Sequence, residues 1–158
     1  MPHGRLVIGV LSAMGLLCGC GAATADGLMS TELTAASFDE TIGHNSLWAV
    51  KFHSEMCSTC IEFATEWLRL AESVSGVHWG EVNVDRSTNL PLATRFGVLK
   101  QGIPNVKLFN LREEPVDLMS SGSVASAQEL TEALGVLLRE VKKGADGYYQ
   151  SPLAKLEL

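Results

Sequence analysis

Positive charge is scarce in this chain: 12 lysines and arginines stand against 18 acids, a formal charge of −6, with no basic cluster. Without a footprint for phosphates, nucleic-acid binding is excluded as a reading. Charged residues make up only 19% of the chain and apolar residues 46%, which excludes an intrinsically disordered protein. Histidines are few, and His44, His53 and His78 show no paired spacing, so the sequence gives no reason to expect a metal site. Internal repeats and low-complexity blocks are absent. At 158 residues the chain has room for one domain with a core, not for two of ordinary size. It has four cysteines, at 18, 20, 57 and 60, a number that by itself would suit a small scaffold stapled by two bridges.

Long apolar runs are missing except for one, from Leu6 to Ala25. It follows Arg5, is most apolar between Leu6 and Leu17, and closes on Ala23-Thr24-Ala25 ahead of Asp26. A basic start, a short apolar stretch and small residues at −3 and −1 predict a secretory signal peptide over residues 1–25. An uncleaved membrane anchor is the alternative, weakened by Gly15, Gly19, Gly21 and Thr24. Lipidation of a bacterial exported protein at Cys20 is another. At the far end, Lys155-Leu156-Glu157-Leu158 resembles the Lys-Asp-Glu-Leu retrieval signal of the endoplasmic reticulum, with leucine in place of aspartate. The stretch before it is punctuated by Gly and Pro and has no apolar period, so residues 142–158 are expected as a flexible tail presenting the tetrapeptide. The two ends together predict the lumen of the endoplasmic reticulum, and no stable membrane insertion once the leader is cleaved. A bacterial periplasmic protein or lipoprotein is the alternative.

Between the ends, over residues 26–141, strand-like and helix-like segments interleave. Trp48–Phe52, Val77–Val84, Asn105–Leu111 and Val116–Met119 read as strands. Cys60–Ser75 reads as an amphipathic helix with Ile61, Ala64, Trp67, Leu68 and Ala71 on its apolar side, and Leu90–Phe96 as a shorter one. Ser126-Ala127-Gln128-Glu129 is a capping box opening a last helix, with Leu130, Leu134, Leu137, Leu138 and Val141 along one side. This order predicts an α/β fold, a three-layer sandwich.

Cleavage of the leader discards Cys18 and Cys20 and leaves Cys57-Ser58-Thr59-Cys60, directly after a strand and opening a helix. A cysteine at a helix N-terminus lies near the positive end of the macrodipole and near unpaired N–H groups, which favour the thiolate. Cys60, one turn further on, is within reach of a disulfide. Such a short loop contributes little to stability, so the pair suits redox cycling better than stapling. An inert structural disulfide is the blander alternative.

With these residues in view, the sequence resembles the thioredoxin superfamily, and within it a domain of the protein disulfide isomerase family. The resemblance runs from about Thr31 to Val141. It is carried by Glu32-Leu33-Thr34 and Phe38-Asp39, Trp48-Ala49-Val50-Lys51-Phe52 before the cysteine pair, Glu66-Trp67-Leu68 with Leu70-Ala71, Val82-Asn83-Val84-Asp85, Phe96-Gly97-Val98 and Ile103-Pro104. It implies an α/β/α sandwich around a central mixed sheet. It also implies Cys57 as the attacking thiol, Cys60 as the buried resolving thiol, and Pro104 as a cis proline facing the disulfide. Met56 and Ile103 complete the implied substrate-binding side.

The departures from the family bear on mechanism. Ser58-Thr59 stands where an isomerase has Gly-His, which predicts a less stabilised thiolate and a less oxidising couple; the Thr59 hydroxyl could compensate in part. Met56 replaces a tryptophan. Lys51 takes the place of a buried acid beneath the second cysteine and would act either as a cation favouring the Cys60 thiolate or as a base, unless it snorkels to solvent. Leu99-Lys100-Gln101 fills a place where the family has one residue, and Lys100 is a candidate cation near the site. Ser58, Thr59, Lys51 and Lys100 are thus the expected redox-tuning residues. The implied activity is thiol–disulfide exchange on cysteine-containing client proteins by a monomer, with no metal or organic cofactor and a redox partner to complete the cycle. The alternative from another class is an escort module that holds clients in the same groove, its disulfide vestigial.

Overall fold

The computed structural model describes residues 29–43, 45–120 and 125–150. The leader with Cys18 and Cys20, His44 and the terminal tetrapeptide lie outside the described residues.

The elements run β1 (Thr31–Glu32), α1 (Phe38–Ile42), β2 (Leu47–His53), α2 (Ser58–Ser73), β3 (Val77–Asn83), α3 (Leu90–Arg95), α4 (Val98–Gln101), β4 (Asn105–Phe109), β5 (Val116–Met119) and α5 (Ala127–Glu140), then a hairpin of β6 (Lys142–Lys143) and β7 (Tyr149–Gln150). Five strands form one sheet in the order β1-β3-β2-β4-β5. The first three are parallel, while β4 and β5 join antiparallel, so the sheet is mixed as expected. Interior strand β2 reads as a nearly unbroken apolar run because both of its faces are covered. Leu47 and Ala49 pack with Phe63, Trp67 and Leu70 of α2 and with Leu130 and Leu134 of α5. Trp48, Val50 and Phe52 face Phe38, Ile42, Leu92, Ala93 and Val98 on the other side. The result is the three-layer α/β/α sandwich.

Gly80 of β3 lets the layers close at β1. A Cβ there would lie 2.5 Å from Leu33 Cδ1, and Leu33 is wholly buried, its N–H donating to the Glu81 carbonyl. Close approach of this kind is what a strand glycine provides.

Three expectations need correction. The buried side of α2 is Cys60, Phe63, Trp67 and Leu70, whereas Ile61 and Leu68 are 61% and 48% exposed. The helix carries two apolar stripes, and the one with the two large aromatics turns inward because it removes more area from water. Residues 142–150 are not the start of a flexible tail. The hairpin has no apolar period because backbone bonds hold it: Arg112 N–H donates to the Tyr149 carbonyl at 2.7 Å and Tyr149 N–H to that of Asn110 at 2.9 Å. Leu99–Gln101, expected to reshape a loop beside the substrate groove, lies in the helical turn α4. The capping box is as read, with Ser126 Oγ accepting from Glu129 N–H and Glu129 accepting from Ser126 N–H.

Candidate active site

The turn from β2 into α2 is built by short-range bonds. Ser54 Oγ accepts from Met56 N–H at 3.0 Å, and the Ser54 carbonyl accepts from Cys57 N–H at 3.4 Å. Asp85, just past β3, accepts from Glu55 N–H at 2.8 Å and so ties the approach to the cysteines onto the neighbouring strand. Cys57 is then the N-cap of α2, and its Sγ accepts from Cys60 N–H at 3.2 Å. A helix N-terminus has free N–H groups that need such an acceptor, and sulfur is the acceptor here. Cys57 and Cys60 are joined as a disulfide with their Cα atoms 5.2 Å apart. Cys60 is buried at 3% exposure while Cys57 is half-buried.

Around Cys57 Sγ lie the Thr59 hydroxyl at 3.1 Å and the Ile103 carbonyl at 3.9 Å. The Ile103–Pro104 peptide is cis, with Ile103 half-buried and Pro104 buried. Met56 is 86% exposed beside the pair, and Ser58 is exposed on the first turn of α2. The sequence-predicted set Met56, Cys57, Ser58, Thr59, Cys60, Ile103 and Pro104 therefore comes together at one end of the sheet. Lys100 does not join it by any contact: it is exposed on α4, and its ammonium has no hydrogen bond or ion pair among the described residues.

Lys51 does not snorkel. It lies on the α2 side of β2 at 3% exposure, with Nζ 3.1 Å from Glu81 Oε2 and 5.4 Å from the centre of the Trp67 ring. Burial pushes its pKa below the ordinary lysine value, and the Glu81 carboxylate pulls it back up. His53, two residues on, has Nε2 3.6 Å from the same Glu81 oxygen; burial, then the Lys51 charge, lower its pKa. A cleft of about 290 Å³ opens beside this group, lined in part by His53, Glu55, Glu81 and Asn83. Glu81 is the residue that sequence reasoning missed. Its signal was alternation: Val77 and Trp79 point into the α2 layer, so the next inward position on β3 is 81, and a charge there requires a buried partner.

Comparisons with known proteins agree with this geometry. The thioredoxin family model matches residues 29–134. Human protein disulfide-isomerase A6 is 36% identical over 90 residues, 54% of this chain and 20% of that protein. A putative thioredoxin 2 of Streptomyces coelicolor is 27% identical over 106 residues, 67% of this chain and 74% of its own length. The crystal structure of the J-Trx1 fragment of ERdj5 superposes with a TM-score of 0.58 at 25% identity, covering 71% of this chain and 51% of that one. The chain spans about a fifth of the length of the disulfide isomerases that it matches. Because the family match takes in the whole five-stranded sheet, the Cys57–Cys60 pair and the Ile103–Pro104 turn, this chain belongs to the thioredoxin family.

Proposed function

We propose that this chain is a thiol–disulfide oxidoreductase acting on cysteine-containing client proteins in the secretory pathway. The observation that carries the reading is the Cys57–Cys60 disulfide at the N-terminus of α2, with its more exposed sulfur beside the Ile103 carbonyl. In the reducing direction the Cys57 thiolate attacks one sulfur of a client disulfide. The client S–S bond breaks, a mixed disulfide forms, and the first client thiol leaves. Cys60, as thiolate, then attacks Cys57 Sγ and releases the second client thiol, leaving the protein oxidised by two electrons. In the other direction a client thiolate attacks Cys57 of the disulfide, and a second client thiol resolves the adduct. A redox partner restores the starting state. The cis Ile103–Pro104 turn beside the more exposed sulfur suits an extended client segment laid across the disulfide. Protein disulfide-isomerase among the relatives supports the reading.

Lys51 acts in this scheme through its charge. Standing where the resemblance puts a buried acid beneath the second cysteine, and paired with Glu81, it favours the Cys60 thiolate by its charge. If Lys51→Met leaves the rate of resolving a mixed disulfide unchanged across pH, that role is wrong. The address, the lumen of the endoplasmic reticulum, rests on the leader-like residues 1–25 and the retrieval-like tetrapeptide.

Trapping tests the function. Cys60→Ala should accumulate mixed disulfides with clients, Cys57→Ala should not, and the native pair should equilibrate with glutathione and reduce insulin. No turnover in either direction, with clients still held by the double Cys57→Ala/Cys60→Ala variant, would replace this reading by the escort one.

A further inference from the structure

Between α3 and the Ile103–Pro104 turn, Leu99-Lys100-Gln101 lie in α4, and the side chain of Gln101 makes three hydrogen bonds. Its Nε2 donates to Asp117 Oδ2 of β5 at 2.7 Å. Its Oε1 accepts from Lys107 Nζ of β4 at 2.8 Å and from Asn105 Nδ2 at 3.1 Å. Lys107 is 4% exposed and its ammonium is completed by Asp117, while Asn105 is wholly buried. One amide thus links the end of α4 to both strands that follow it. The two sequence ends of this link, 101 and 105, bracket Gly102, Ile103 and Pro104, the segment whose carbonyl at Ile103 lies 3.9 Å from Cys57 Sγ.

The chemistry of the link makes it stiff. Two of its three bonds go to ionised groups, which roughly doubles the strength of each, and two of its partners, Lys107 and Asn105, are buried while Asp117 keeps contact with solvent. A buried lysine cannot give up an acceptor without cost, so Lys107 holds Gln101 as firmly as Gln101 holds the turn. Val98, wholly buried, pins the other end of α4. Gln101 does not touch the disulfide, so whatever it contributes to turnover is contributed through the backbone that it fixes.

We infer that Gln101 is a positioning residue that sets the height of the Ile103 carbonyl over Cys57 and so governs how an extended peptide client is seated. The inference rests on the oxidoreductase reading above. A client that lies along the turn by backbone pairing feels a displaced Ile103, whereas a small aromatic disulfide that needs only the Cys57 sulfur does not.

The test compares two substrates in the purified protein: a disulfide-bearing peptide and 5,5′-dithiobis(2-nitrobenzoate). Gln101→Met keeps the side-chain volume and removes the three hydrogen bonds. It should raise KM for the peptide about tenfold, with kcat changed less than twofold, since misplacement by a fraction of an ångström is enough for such an effect. Turnover of the aromatic disulfide should stay within about twofold of the wild type. The double variant Gln101→Glu/Asp117→Asn restores an acceptor for Lys107 and a donor–acceptor pair across the link, and should return the peptide KM to within about threefold. An unchanged peptide KM in Gln101→Met, an equal loss on both substrates, or a failure of the double variant to recover would each overturn the inference. Were the wild type itself inactive on both disulfides, the oxidoreductase reading would fall with it.

Discussion

Replacing Glu81 by glutamine leaves the Lys51 ammonium buried without a counter-charge. The pair is 3.1 Å apart and Lys51 is 3% exposed. At an effective dielectric of about 20 two unit charges at that separation attract by about 5 kcal/mol before desolvation is counted. Removing one partner of a buried pair costs about 3–5 kcal/mol, and because Glu81 keeps some solvent contact and glutamine still offers a carbonyl, about 2–3 kcal/mol is expected at pH 7. The pH dependence gives the more discriminating test. Burial holds the Lys51 pKa below its ordinary 10.5, and the Glu81 charge opposes that fall. Glu81→Gln therefore lowers it further. Stability rises with pH wherever the unfolded chain binds a proton that the native state has lost, which for Lys51 is the interval from its native pKa up to 10.5. That interval opens at lower pH in the variant, so its deficit against wild type should be largest near pH 7 and shrink toward pH 10. Urea unfolding of the oxidised protein, followed by circular dichroism at both pH values, measures it. With a slope of about 1.5 kcal/mol per molar urea the midpoint should fall by about 1.3–2 M at pH 7. A midpoint shift under about 0.3 M at pH 7, or a deficit that does not change with pH, would refute the buried-pair reasoning.

Other perturbations reach different parts of the argument. His53 has its pKa lowered by burial and by Lys51, so the native protein resists its protonation while the unfolded chain accepts it. Stability should accordingly fall as pH drops below 6.5, and His53→Gln should flatten that slope in denaturant melts between pH 7.5 and 5. Gly80→Ala places a methyl 2.5 Å from Leu33 Cδ1 and should destabilise by about 1–3 kcal/mol in the same assay, with the Cys57–Cys60 chemistry unchanged. Thr59→Val removes the hydroxyl 3.1 Å from Cys57 Sγ; alkylation of the reduced protein by iodoacetamide at pH 7 should slow by about threefold or more if that hydroxyl supports the thiolate.

Much of the site is local and could be read along the chain. Met56 through Cys60 needs only the change from a β-rich run to a helical one to place two sulfurs one turn apart. The capping box at Ser126 and Glu129 is likewise contained in four residues, and so is the Ile103-Pro104 dipeptide that ends up over the disulfide. What escaped was decided across the sheet. Lys51 and Glu81 are thirty residues apart and meet because β2 and β3 pair in parallel with those two positions in register. The inward stripe of α2 was chosen by the cavity it had to fill, since Phe63 and Trp67 and the pair Ile61 and Leu68 are equally periodic. Residues 142–150 found their partners in the backbone of Asn110–Arg112, which has no side-chain signature.

The sequence by itself determined the alternation of strands and helices, the redox-suited spacing of Cys57 and Cys60, and the residues that could face them, because each depends on torsions and contacts within a few positions. Only the tertiary structure decided that Lys51 is buried against Glu81 and that Gln101 fastens the turn beside Cys57. Those contacts depend on strand register and on the close packing of layers, which bring together charges and amides that no short-range spacing relates.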